Sequence, residues 1–179
     1  MLSNPESSMS TGAALKKLAS NPSFIFITLA LSLLYYLISG LSYWGPKYFR
    51  DVCGLSIKNT TYIYALISIT GPVSGAILSG PLINKFGGYE SKSTMPLIIS
   101  IGVMAIISAV PVSYYNEATH VLISCWFLLF FGGLLLPMAT GIMLCTLEPK
   151  LKAKGNSVAN FSYNLLGWMP APVVYGWIN

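Results

Sequence analysis

Few residues in this chain can make or break bonds, and their spacing does not bring them together. Cys53, Cys125 and Cys145 are odd in number and lack a CxxC spacing. The latter two lie inside apolar runs, where a thiol behaves as a small hydrophobe. His120 is the single histidine, and only Glu117, three residues earlier, offers it an acidic neighbour. That pair reads as an interfacial helix end. There is no HExxH, no Ser/His/Asp set and no glycine-rich phosphate loop. No interior of a long apolar stretch holds an ionisable group, whereas proton-coupled carriers place Asp, Glu, His or Arg at membrane depth. The expectation is no enzyme, no metal and no cofactor. What remains to act on another molecule are deep aromatic rings, Tyr35, Tyr36, Trp126, Tyr163 and Trp168, which either pack against neighbours or line a cavity.

The elements that must position these rings follow from composition. Only 8% of residues are charged, 54% are hydrophobic, and mean hydropathy is +0.67. A soluble domain carries about 25% charged residues, so no water-facing shell can be built here. Five stretches free of Asp, Glu, Lys and Arg, of 29, 26, 24, 30 and 25 residues, each exceed what a helix needs to cross a bilayer core. The fold class expected is an all-α, polytopic membrane bundle with spans at about 23–46, 60–83, 95–113, 119–145 and 156–178. Residues 1–22 form a polar lead-in, and 23–179 form the bundle. The lead-in and first span do not read as a signal peptide, because the span is too long for an h-region and no small-residue cleavage site follows it. Asn21-Pro22 starts the first span, where a proline loses no helical hydrogen bond.

A net charge of +5 does not indicate nucleic acid, because the basic residues sit in short loops rather than on a polar aromatic face. Their distribution speaks of orientation. With the N-terminus cytoplasmic, that side holds seven, Lys16, Lys17, Lys85, Lys92, Lys150, Lys152 and Lys154, against three, Lys47, Arg50 and Lys58. The run EPKLKAKGN is read as a cytoplasmic loop. Tyr43, Trp44, Tyr48, Tyr114, Tyr115, Tyr175 and Trp177 stand at expected span ends, as interfacial rings do. The lipid bilayer is thus the first expected partner; which membrane is involved is not encoded.

Glycine and proline punctuate the spans. Gly71 and Gly75 make a GxxxG beside Pro72, Pro137 lies mid-span, and Gly167, Pro170 and Pro172 crowd the last span. Small residues let helices approach, and proline frees a carbonyl and invites a hinge. Gly71, Gly75 and Gly80 are each 96 residues before Gly167, Ala171 and Gly176. That spacing suits three-helix repeats, in which Gly/Pro-interrupted helices occupy corresponding positions, and it equally suits ordinary small-residue packing.

At Gly80–Gly88 the sequence GPLINKFGG resembles the loop signature of the major facilitator superfamily, Gly-x-Leu-Ala-Asp-Arg-x-Gly-Arg-Arg. Gly80, Leu82 and Gly87 match, Lys85 replaces the first Arg and Asn84 replaces the Asp, so the gating loop loses its carboxylate. SYWGPKYF resembles the Trp-x-Pro ending of the seventh helix in spinster-like members, the segment from Lys152 to Ile178 resembles the eleventh helix, and LKKLASNPSFIF resembles the central linker. The resemblance implies helices seven to eleven of a twelve-helix transporter, with an N-terminal six-helix half and a last helix lacking. It further implies alternating-access transport of a small organic, amphipathic or lipid-like solute. Tyr35, Tyr36, Thr140, Tyr163 and Asn164 become candidate cavity residues. It also gives the GxxxG a surface to meet, the other half. The alternative expectation is a structural membrane subunit derived from such a carrier.

Overall fold

The computed structural model describes residues 10–114 and 117–178; the first nine residues of the lead-in, Tyr115, Asn116 and Asn179 lie outside the described residues. The described residues are all helical or loop: α1 (Thr11–Ala19), α2 (Pro22–Asp51), α3 (Ile57–Lys85), α4 (Thr94–Tyr114), α5 (Ala118–Cys145), α6 (Pro149–Tyr163), a π-helical turn (Asn164–Trp168) and α7 (Pro170–Ile178). Four helices, Pro22–Asp51, Ile57–Lys85, Thr94–Val112 and Ala118–Cys145, are long and apolar enough to cross a membrane. The fifth expected span is a broken helical rod rather than one α-helix.

Proline explains where the elements depart from the sequence reading. The first span does not stop at Pro46 but runs on to Asp51. A proline inside a helix costs about 3 kcal/mol. The continued turn compensates, because Phe49 is buried against Val121 and Cys125, and the Tyr48 hydroxyl donates to the Val112 carbonyl at 2.8 Å. The basic run read as a loop is instead the opening of α6, with Glu148 at the N-cap and Pro149 in the first turn.

The lead-in is part of the fold. Ser10 caps α1 by accepting from the Ala13 N–H at 3.3 Å, and Ala14 and Leu18 are buried with Phe24, Leu147 and Leu151. Asn21 works twice: its Oδ1 accepts from the Phe24 N–H at 3.1 Å, and its Nδ2 donates to the Thr146 carbonyl at 3.2 Å. Lys17 reaches Glu148 at 2.6 Å, yet both side chains are about half exposed, so the ion pair adds little to the apolar contacts beneath it.

The α6–α7 rod lies along α2, α3 lies along α5, α2 meets α5, and α4 packs on α5. At the α3–α5 crossing the backbones touch. A Cβ on Gly75 would strike the Phe130 carbonyl oxygen and stand 2.8 Å from the Leu134 nitrogen, and one on Gly133 would strike the backbone of Pro72. The Gly71–Gly75 face, expected from the resemblance to meet another half, is therefore consumed within this chain. The reason is reciprocal: only Gly132-Gly133 opposite lets Pro72 come so near. In the 96-residue match, Gly71 and Gly75 are buried on α5 as Gly167 and Ala171 are buried in the rod. The third pair diverges, since a Cβ on Gly80 would meet open space and one on Gly176 would stand 3.2 Å from the Trp44 ring.

Candidate functional site

The break in the rod is a consequence of Pro170 and Pro172. In an α-helix their N–H groups would serve the carbonyls of residues 166 and 168, and proline has none. The chain widens into the π turn, in which the Met169 N–H donates to the Asn164 carbonyl at 3.0 Å, an i→i+5 bond. The Trp168 carbonyl, robbed of its helical donor by Pro172, accepts instead from the Ser39 hydroxyl of α2 at 2.9 Å. The Trp44 indole N–H donates to the Pro172 carbonyl at 3.2 Å. Side chains of α2 thus supply donors to two carbonyls of the rod.

Gly167 lets this happen. A Cβ there would strike the Ser32 carbonyl oxygen and lie 3.0 Å from the Tyr35 Cβ. With the backbones in contact, Tyr35 stacks on Tyr163 at 4.5 Å between ring centroids and 4° between planes, and Trp168 meets Tyr35 edge-on at 6.5 Å. Of the expected cavity residues, then, Tyr35 and Tyr163 are brought together. Tyr36 points elsewhere, to Tyr175 at 5.6 Å. The Thr140 hydroxyl turns back to the Leu136 carbonyl of its own helix. Asn164 is exposed, and its Nδ2 donates to the Asn160 carbonyl at 2.8 Å. Asn160 repeats that bond to Asn156 at 3.1 Å, making an asparagine ladder at fourfold spacing. The repeat Asn156, Asn160, Asn164 was visible in the sequence; the role of Ser39 was not, because nothing local marks a hydroxyl that serves a carbonyl 129 residues away.

The loop signature is built around positive-φ glycines. Lys85 ends α3, and Gly87 and Gly88 take φ of +94° and +84°, conformations costly for other residues. The Gly88 N–H donates to the Ile83 carbonyl at 3.0 Å, and the buried Thr94 hydroxyl donates to the Gly88 carbonyl at 2.6 Å. Tyr89 then lays its ring on Gly141 of α5. Leu82 is half-buried beside Ile83 and Met138, and a Cβ on Gly80 would meet nothing within 4 Å. Asn84 and Lys85 are exposed, and the Asn84 side chain makes no hydrogen bond among the described residues. Pro137 lies inside α5 without breaking it.

Replacing Ser39 with alanine is expected to cost about 1 kcal/mol of stability, by orphaning the Trp168 carbonyl at membrane depth. In a Pro172→Ala background the helical N–H returns and the same change should cost nothing. Thermal midpoints of the four detergent-purified variants test this; an equal loss in both backgrounds contradicts the substitution of hydroxyl for amide.

Membrane-length apolar helices, helix crossings lined by glycine and a proline-broken rod define an integral, multi-pass helical membrane protein. The Major Facilitator Superfamily model matches residues 3–172, and the chain belongs to that family, one of transporters and not of enzymes. Among curated proteins, the Solute carrier organic anion transporter family member 4A1 of Mus musculus is 35% identical over 69 residues, which is 38% of this chain and 10% of that relative. The chain therefore matches a small part of that much longer protein. No solved structure matches significantly.

Proposed function

We propose that the chain is the C-terminal part of an alternating-access carrier, spanning helices seven to eleven, with its N-terminus cytoplasmic. The observation that carries the reading is an approximate two-fold exchange of packing. The rod lies on α2 as α3 lies on α5, so α2 corresponds to α5 and the rod to α3. Since α4 packs on α5, its counterpart, a sixth helix of the same half, belongs on α2. There α2 exposes Phe26, Leu29, Leu33 and Leu37 beside a groove of about 620 Å³ that reaches Gly40, Ala105 and Gly132. The basic asymmetry favours the orientation. The Trp44-Gly45-Pro46 and Asn164-x-x-Gly167 patterns support a spinster-like subtype.

In this reading the solute meets the face bearing Tyr35, Trp168, Asn160 and Asn164. Exposed carboxamides are costly against lipid, which favours a solvated cavity or a partner half for them. The chain offers rings and amides at that depth and no cation, which suits a small organic or amphipathic solute. Charge recognition, such as the relative's name suggests, would fall to the N-terminal half.

The chain reconstituted alone in liposomes is expected to move no solute, and co-expression with a six-helix N-terminal half to restore uptake. Uptake by the chain alone would sink the half-carrier reading.

A further inference from the structure

The joint between α1 and α2 carries an exposed hydroxyl that the solute face does not use. Ser20 ends α1, and its Oγ donates to the Lys16 carbonyl of its own turn at 2.9 Å. That bond keeps the hydroxyl within one turn of Lys16 and Lys17, four and three residues back. Both lysines are exposed, and Lys17 Nζ holds Glu148 Oε1 at 2.6 Å, across 131 residues of sequence. Two cations thus precede an accessible hydroxyl, at the spacing that the acidic substrate cleft of a basic-directed protein kinase reads.

Presentation separates Ser20 from Ser157, which also follows a lysine, Lys154, by three residues and is also exposed. Ser157 lies inside α6, with helix on both sides, and its Oγ donates to the Ala153 carbonyl at 3.2 Å. A kinase cleft takes its acceptor on extended chain, so Ser157 would demand that α6 unwind. Ser20 instead sits at the break before Pro22, and α1 is only nine residues long. It is held by the buried Ala14 and Leu18 and by the exposed Lys17–Glu148 pair. A helix that short is unstable by itself, so the segment opens at little cost. We propose that Ser20 is a phosphorylation site for a basic-directed serine kinase, and that its phosphate draws Lys17 away from Glu148. Ser20 Oγ bonds to the γ-phosphorus of ATP, the bond from that phosphorus to the β–γ bridging oxygen breaks, and ADP leaves. The hydroxyl proton passes to the kinase's base. The product carries a charge of about −1.5 to −2, against a single charge on Glu148, and stands within reach of Lys16 as well. α1 is thereby unpinned from the start of α6. Access in a cell rests on the cytoplasmic N-terminus proposed above; the test does not.

The full chain, purified in detergent, is incubated with the catalytic subunit of cyclic-AMP-dependent protein kinase, magnesium and ATP, and phosphate is located by peptide mass spectrometry. Ser20 is expected to take up phosphate and Ser157 to take up none. Lys16→Gln, which leaves the Lys17–Glu148 pair in place, should slow the labelling of Ser20. A carbodiimide then reports the pair, because it joins an ammonium to a carboxylate only where the two touch. The Lys17–Glu148 cross-link is expected to form in the unmodified protein and in Ser20→Ala. On phosphorylation its yield should fall about fivefold, and phosphatase treatment should restore it. The proposal is overturned if Ser20 stays unlabelled, if Ser157 is labelled as readily, if Lys16→Gln is labelled as fast, or if the cross-link yield is the same with and without the phosphate.

Discussion

Gly75→Leu is expected to destroy the folded bundle, while Gly80→Leu, five residues on in the same helix, is expected to leave it intact. Leucine is the better helix former by up to about 0.8 kcal/mol, so an isolated helix would gain at either site. Tertiary contact reverses the sign at one of them. The Cβ of residue 75 would enter the space of the Phe130 carbonyl oxygen and stand 2.8 Å from the Leu134 nitrogen. Those are backbone atoms, so no rotamer change relieves the clash; α3 must leave α5. Separation undoes the Gly133–Pro72 approach and exposes Ile83, Leu134 and Met138, which share one buried cluster. Loss of at least about 3 kcal/mol follows, against a total stability of about 5–15 kcal/mol. At Gly80 a Cβ finds nothing within 4 Å. Size-exclusion profiles and thermal midpoints of both variants would decide the matter; a monodisperse Gly75→Leu protein with an unchanged midpoint would show that the crossing is not as close as described.

That contrast also shows what was legible beforehand. Membrane character and four of the spans were readable because lipid imposes a composition no soluble fold shares, and because charge-free length translates directly into a crossing helix. Helix pairing was not readable in the same way. The GxxxG announces that some backbone comes near, but its partner is chosen by Gly132-Gly133 in another helix, 58 residues beyond Gly75. Proline misled at Pro46, where local cost is outweighed by burial of Phe49, and informed at Pro170 and Pro172, where two lost donors widen the turn. The candidate cavity residues divide for a similar reason. Adjacent residues on a helix diverge by about 100°, so Tyr35 and Tyr36 could not both face one site. Tyr35 finds Tyr163, and Tyr36 finds Tyr175.

Gly167→Val is the second change expected to be severe, and it tests whether the rod and α2 act as one unit. The new side chain would meet the Ser32 carbonyl oxygen, with the Tyr36 nitrogen at 3.1 Å, so the π turn must lift from α2. Lifting breaks the Ser39 bond to Trp168 and unstacks Tyr35 from Tyr163, contacts that hold the proposed solute face together. A loss of about 2–4 kcal/mol is expected, and Gly167→Ala is expected to be costly too, because its Cβ alone already strikes the Ser32 carbonyl oxygen, a backbone atom. The Ser39→Ala cost should vanish in the Gly167→Val background, since the bond it removes is already gone, whereas its cost should persist alongside Gly71→Ala at the other crossing. Additive losses for Ser39→Ala and Gly167→Val would mean that the rod stays seated when its glycine is filled, and that α2 does not supply the donor the prolines take away.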